Sequence, residues 1–158
     1  MRDFFAHTFD LLLKGLSAAG GFVLGMVGGE GRRYVFFLLI LMAADYITGL
    51  VAASLGKSTK TPGGKLSSKA GAKGIAGKGI VLLMVALAHG LDLFVNRGNS
   101  MFLSAVAWFY IGNEALSLVE NLALCGVPIP AKLKNALEGF SGKTEEKPQE
   151  KTEVTLGA

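Results

Sequence analysis

The sequence predicts an all-α integral membrane protein, and three observations carry that prediction. Hydrophobic residues make up 51% of the 158 residues, and the mean hydropathy is +0.46. The apolar residues are gathered into long runs, at about 34–55, 79–95 and 101–124, each near the roughly 20 residues needed to cross a bilayer. Charge collects between and after these runs, and none of them shows the charged outer face that a soluble helical bundle needs. The expected architecture is three transmembrane helices plus an amino-terminal helix that is either amphipathic or a fourth span. It divides as an amino-terminal segment 1–33, a membrane domain 34–140 and a disordered tail 141–158.

The amino-terminal segment has two characters. On a helical wheel Phe5, Phe9, Leu12, Leu16, Val23 and Val27 share one face, which suits a helix lying in the membrane interface. Its second half is apolar and spaces Gly21, Gly25 and Gly29 four apart, a pattern that permits close helix contact. Three spans with an interfacial helix and four spans both fit.

The first apolar run carries Asp45 on a stripe with Thr48, Gly49 and small alanines. After it, residues 57–78 hold Lys57, Lys60, Lys65, Lys69, Lys73 and Lys78 with no acidic residue. So dense a basic loop between spans belongs on the cytoplasmic side. The "GAKGIAGKG" within it has neither the spacing nor the Ser or Thr of a phosphate-binding loop. Lysines without arginine or interleaved aromatics do not make a nucleic-acid surface, so no nucleic-acid partner is expected.

The second run places His89, Asp92 and Asn96 on one face, and the connection 96–100 to the third run is short. In the third run, Asn113, Glu114, Ser117, Glu120 and Asn121 fall with Tyr110 within an arc of roughly 120°. A carboxyl group at bilayer depth costs several kcal/mol unless it is paired or wetted, so these polar faces must look into protein or into water. They are the candidate assembly and gating residues. They are read as hydrogen-bonded glue between helices, as the lining of an aqueous path or oligomer interface, or as a catalytic carboxylate pair. Beyond Pro128 and Pro130 a short amphipathic piece, 131–140, precedes the polar tail.

No nucleophile–base pair and no cluster of metal ligands is present, and a single cysteine, Cys125, forbids an internal disulfide. The expectation is a non-enzyme without cofactor or metal.

The order "DYITGL" (45–50), "KLSSKAGAKGIAGK" (65–78), "ALAHGLD" (86–92), "FYIGNEALSLVEN" (109–121) and "GVPIP" (126–130) resembles the toxin-secretion/phage-lysis holin family over roughly residues 34–140. The resemblance implies a small multi-pass protein of the bacterial inner membrane that forms homo-oligomers. At a programmed time it would permeabilise the membrane and release an endolysin, with a large toxin as cargo in some members. Its partners would be other copies of itself, the lipid bilayer and, functionally, the endolysin. The alternative from another class is an ion-conducting channel or ion-coupled transporter subunit using Asp45 and Glu114 as a relay, although no internal repeat supports it.

Overall fold

A computed structural model describes residues 2–95 and 100–141. Among them the chain is helical without strands: α1 (Arg2–Met26), α2 (Gly31–Ser54), a single 3-10 turn (Pro62–Gly64), α3 (Ser68–Val95), α4 (Met101–Leu124) and α5 (Ala131–Ser141). Asn96, Arg97 and the tail beyond residue 141 lie outside the described residues, as do the side chains of Phe5 and Phe9.

The helix ends follow from local chemistry. Both α2 and α4 stop on a glycine in the left-handed region, Gly56 at φ 71° and Gly126 at φ 95°. In each case the chain folds back by the same pair of backbone bonds. Lys57 N donates to Ala52 O and Gly56 N to Ala53 O; Val127 N donates to Leu122 O and Gly126 N to Ala123 O. This is the Schellman arrangement, which satisfies carbonyls that a helix end leaves orphaned. Pro128 and Pro130 then prevent α4 from continuing. Ahead of α3, the Ser67 hydroxyl accepts from the Ala70 amide at 3.4 Å, the position of an N-cap. Helix α3 therefore starts at Ser68, eleven residues before its apolar run, because glycines and alanines among the lysines do not break it.

Helices α2, α3 and α4 are long and apolar enough to span a membrane, and α1 is not among them despite its 25 residues. At most a third of each apolar window is buried within the chain. Phe36, Phe37, Ile40, Leu83, Leu87 and Phe94 project outward, making a surface that lipid can cover. Inside, Val35, Leu38, Leu41 and Met42 of α2 form one cluster with Leu82 and Val85 of α3 and Leu103 and Ile111 of α4. Lipid tails are as apolar as leucine, so close packing rather than expulsion from water holds this core together.

Helix α1 completes the bundle. It packs mainly on α3 and at fewer places on α2, with Val23 and Val27 buried and Leu16, Ala19 and Leu24 at the margin of the core. Within α1 the glycine that comes closest to a neighbour is Gly20, where an added Cβ would meet Leu39 at 3.0 Å. Gly21, Gly25 and Gly29 face open space, contrary to the close contact expected of them. For Gly21 and Gly25 the physical reason is that the Leu and Val stripe takes the inward face; Gly29 lies beyond the helix end, in the turn to α2 at φ 59°.

Candidate functional site: a charge cluster between three helices

Asp45 sits near the middle of α2, Glu114 near the middle of α4 and Lys78 ten residues into α3, about 15 Å from its start at 1.5 Å per residue. The three converge. Lys78 Nζ donates to Asp45 Oδ2 at 2.9 Å and to Glu114 Oε2 in a short contact. The side chains of Lys78, Asp45 and Glu114 are only 8%, 8% and 12% exposed, so this is a buried ion triad joining three helices. Each carboxylate has a cationic donor, which is the condition for holding such groups away from water.

Neighbouring polar groups complete the cluster. Asn121 Nδ2 donates to Asp45 Oδ1 at 2.9 Å and to the Asp45 carbonyl at 3.2 Å, tying α4 to α2 directly. The Thr48 hydroxyl turns back on its own helix, donating to the carbonyls of Ala44 and Asp45 at 2.9 and 3.0 Å. Gly49 leaves room for Asn121, whose Nδ2 would lie 3.5 Å from an added Cβ. Lys60 reaches in from the α2–α3 loop, donating to Ser117 Oγ at 3.2 Å and lying 4.0 Å from Asp45 Oδ1. Asn113 lines a cavity of about 420 Å³ that opens onto this cluster, while Glu120, one position before the buried Asn121, is exposed.

Asp92 does something different. It is buried near the end of α3, and its two carboxylate oxygens accept from the Phe102 and Leu103 amides at 2.9 and 2.7 Å. These are orphan donors of the first turn of α4, and Ser100 at the N-cap makes no side-chain bond to them. Asp92 therefore caps the next helix and places a negative charge at the positive end of its dipole. His89, half-buried, lines a separate cavity of about 810 Å³ with Asp92, Tyr34 and Ser104.

The polar residues singled out on α2, α3 and α4 thus divide. Asp45, Thr48, Asn113, Glu114, Ser117 and Asn121 meet in one place; His89 and Asp92 lie toward the opposite end of the bundle. The basic run also divides. Lys57, Lys60 and Lys65 belong to the loop, and Lys69 and Lys73 are exposed on the first turns of α3. Lys78 departs from the loop reading altogether, since it is buried at the centre of the triad. The helix that carries it begins well before the apolar run, which turns this lysine inward. Its signal was available: Ile75, Lys78, Leu82, Val85, Ala88 and Asp92 are buried at spacings of three and four, one stripe of one helix.

An apolar belt outside and paired charges inside define a polytopic helical membrane protein. The chain belongs to the bacteriophage holin family, whose family model matches residues 22–142. It is 38% identical over 141 residues to an uncharacterised Listeria monocytogenes protein, covering 87% of this chain and 95% of that one. An uncharacterised 14.9 kDa protein of Clostridium perfringens is 40% identical over 106 residues, 67% of this chain and 75% of its own length. A probable holin of Bacillus phage phi105 is 32% identical over 115 residues, 73% of this chain and 79% of its own. No solved structure matches. The family is membrane-permeabilising and non-enzymatic, and membership in it suggests a phage holin role.

Proposed function

We propose that the protein accumulates in the bacterial inner membrane, assembles into homo-oligomers and then opens the membrane so that an endolysin reaches the cell wall. The observation that carries this reading is the internal closure of the polar faces. Lys78 pairs with carboxylates from two other helices, so a single chain keeps these three groups beneath a largely apolar exterior. Such a chain can build up in a bilayer without exposing the triad to hydrocarbon. The same triad is a reserve of polar surface. If the helices separate, water replaces each protein partner and solvates the charges, so desolvation no longer opposes their exposure along an aqueous lesion. Asp45, Glu114 and Asn121 would then line the opened path, with Asn113 and Ser117 beside them.

The test is inducible expression in a bacterial host, with potassium leakage and optical density followed together and with or without a co-expressed endolysin. The expected result is a silent delay, an abrupt growth arrest and lysis that depends on the endolysin. A steady, graded ion flux from the start of induction, with the endolysin retained inside, would refute it.

A further inference from the structure

The face that α3 turns outward changes character along its length. Lys69, Lys73, Ile80, Leu83, Leu87 and Phe94 are all exposed and recur at helical spacing, so they form one stripe. From Ile80 onward the stripe is apolar, and at its start it carries two ammonium groups. From Lys73 to Phe94 the helix rises about 31 Å at 1.5 Å per residue, against a hydrocarbon core of about 30 Å. With Phe94 at one boundary of that core, Lys73 lies at the other, and Lys69 stands one turn beyond it among the headgroups.

Other lysines gather at the same level. The loop that joins α2 to α3 closes on itself, with Ser58 N donating to Gly64 O at 3.0 Å. Gly56 and Gly64 both have positive φ, and a Cβ on Gly64 would collide with the Gly56 carbonyl, so only glycine allows this close crossing. The crossing aims Lys60 at Ser117 and sets Lys57 beside Lys65, the residues that follow the two glycines. Helix α4 runs back toward this end, since Asp92 near the end of α3 caps its start, and α5 follows with Lys132 and Lys134 exposed. Among the described residues Lys57, Lys65, Lys69 and Lys73 pair with no carboxylate. Glu120 is the one exposed acid described on α2 to α5. Leu66 and Leu133, 61% and 46% exposed, stand among these lysines, and such a mixture of apolar and cationic side chains suits the boundary between headgroups and chains.

We propose that this face binds anionic phospholipid, with the phosphate on the ammonium groups of Lys57, Lys65, Lys69 and Lys73 and the acyl chains along Ile80, Leu83 and Leu87. A free anion would need the lysines alone. The apolar stripe continuous with them selects a phosphate that carries chains. Lysine stems lie along apolar surface while their heads reach outward, and each cation close to the membrane adds to the attraction for anionic lipid. This binding asks only that the protein sit in a bilayer, so its failure would leave the lysis reading untouched.

The test measures thermal midpoints of the full-length protein in detergent, titrated with phosphatidylglycerol or with phosphatidylcholine of the same chains. A ligand of the folded state raises the midpoint saturably, and phosphatidylglycerol should add several degrees over phosphatidylcholine. That difference should vanish at about 1 M salt, where exposed charges are screened within about 3 Å. Lys69→Gln combined with Lys73→Gln should raise the half-saturating amount of phosphatidylglycerol about tenfold or more. Lys69→Arg combined with Lys73→Arg should behave as the wild type. So should Arg32→Gln combined with Arg33→Gln, which removes two exposed charges at the far end of α2. An equal response of the wild type to both lipids would overturn the proposal. The same shift produced by glycerol 3-phosphate alone, or an equal loss in the two glutamine pairs, would overturn it as well.

Discussion

Replacing Lys78 with methionine keeps the unbranched stem and removes the ammonium. Asp45 and Glu114 then face each other, buried, with their cation gone. For unit charges at the 2.9 Å of the Lys78–Asp45 contact, Coulomb attraction at an effective dielectric near 20 is about 6 kcal/mol. Desolvation of the lysine already offsets part of this, and breaking one side of a buried ion pair costs about 3–5 kcal/mol. That corresponds to about two to three and a half orders of magnitude in the folded-to-unfolded ratio. The assay is unfolding of the purified protein in mixed micelles by titration with a denaturing detergent, followed by the fluorescence of Trp108. This single tryptophan lies on α4, with its ring centroid 5.7 Å from that of Tyr34 on α2, so it reports their separation. A companion variant, Lys78→Met with Asp45→Asn and Glu114→Gln, removes all the triad charges and should recover to within about 2 kcal/mol of the wild type, because an unpaired charge is what destabilises. A single variant within about 1 kcal/mol of the wild type, or a triple variant as unstable as the single one, would refute the assignment.

Asp92→Ala should destabilise by about 1–2 kcal/mol through loss of the α4 cap, with Asp92→Asn milder. Hydrogen exchange at the Phe102 and Leu103 amides should accelerate in step with the thermal change. Gly31→Ala should cost about 1–3 kcal/mol, since its Cβ would lie 2.6 Å from Leu103 Cδ2 and 3.0 Å from Val27 Cγ1. Gly49→Ala, with 3.5 Å to Asn121, should stay within about 0.5 kcal/mol by the same measurement. A cysteine at position 68 in a Cys125→Ala background should resist an impermeant thiol reagent in intact cells before lysis, as the dense lysines of the loop require. Labelling from outside at that stage would reverse the topology.

The spans were legible because hydropathy and length alone define them, and the polar face of α4 because its residues repeat at helical spacing. Lys78 was not, since the end of a span was read where the apolar run ends, and helix formation does not stop there. A lysine flanked by glycines reads as loop until its register with Leu82, Val85 and Asp92 is followed backward. The cap made by Asp92 was hidden for another reason. Its partners are backbone amides on the next helix, and side-chain periodicity says nothing about main-chain donors. The approach of Lys60 depends on the glycine crossing at Gly56 and Gly64, a tertiary fact that a local pattern does not encode.

The triad also sets a schedule for synthesis. Asp45 emerges first, its ammonium partner 33 residues later, and Glu114 a further 36 residues after that. At about 5–20 residues per second, roughly 2–7 s separate each arrival from the next. A lone charge at the centre of a helix costs about 2.5–3.5 kcal/mol to release from the insertion machinery into lipid. Helix α2 is therefore best retained beside the translocon until α3 brings Lys78 to Asp45, and Glu114 of α4 is best released only against that pair. The membrane receives these helices as a set, and a chain truncated before Lys78 should be a substrate for quality-control proteolysis rather than a stable membrane protein.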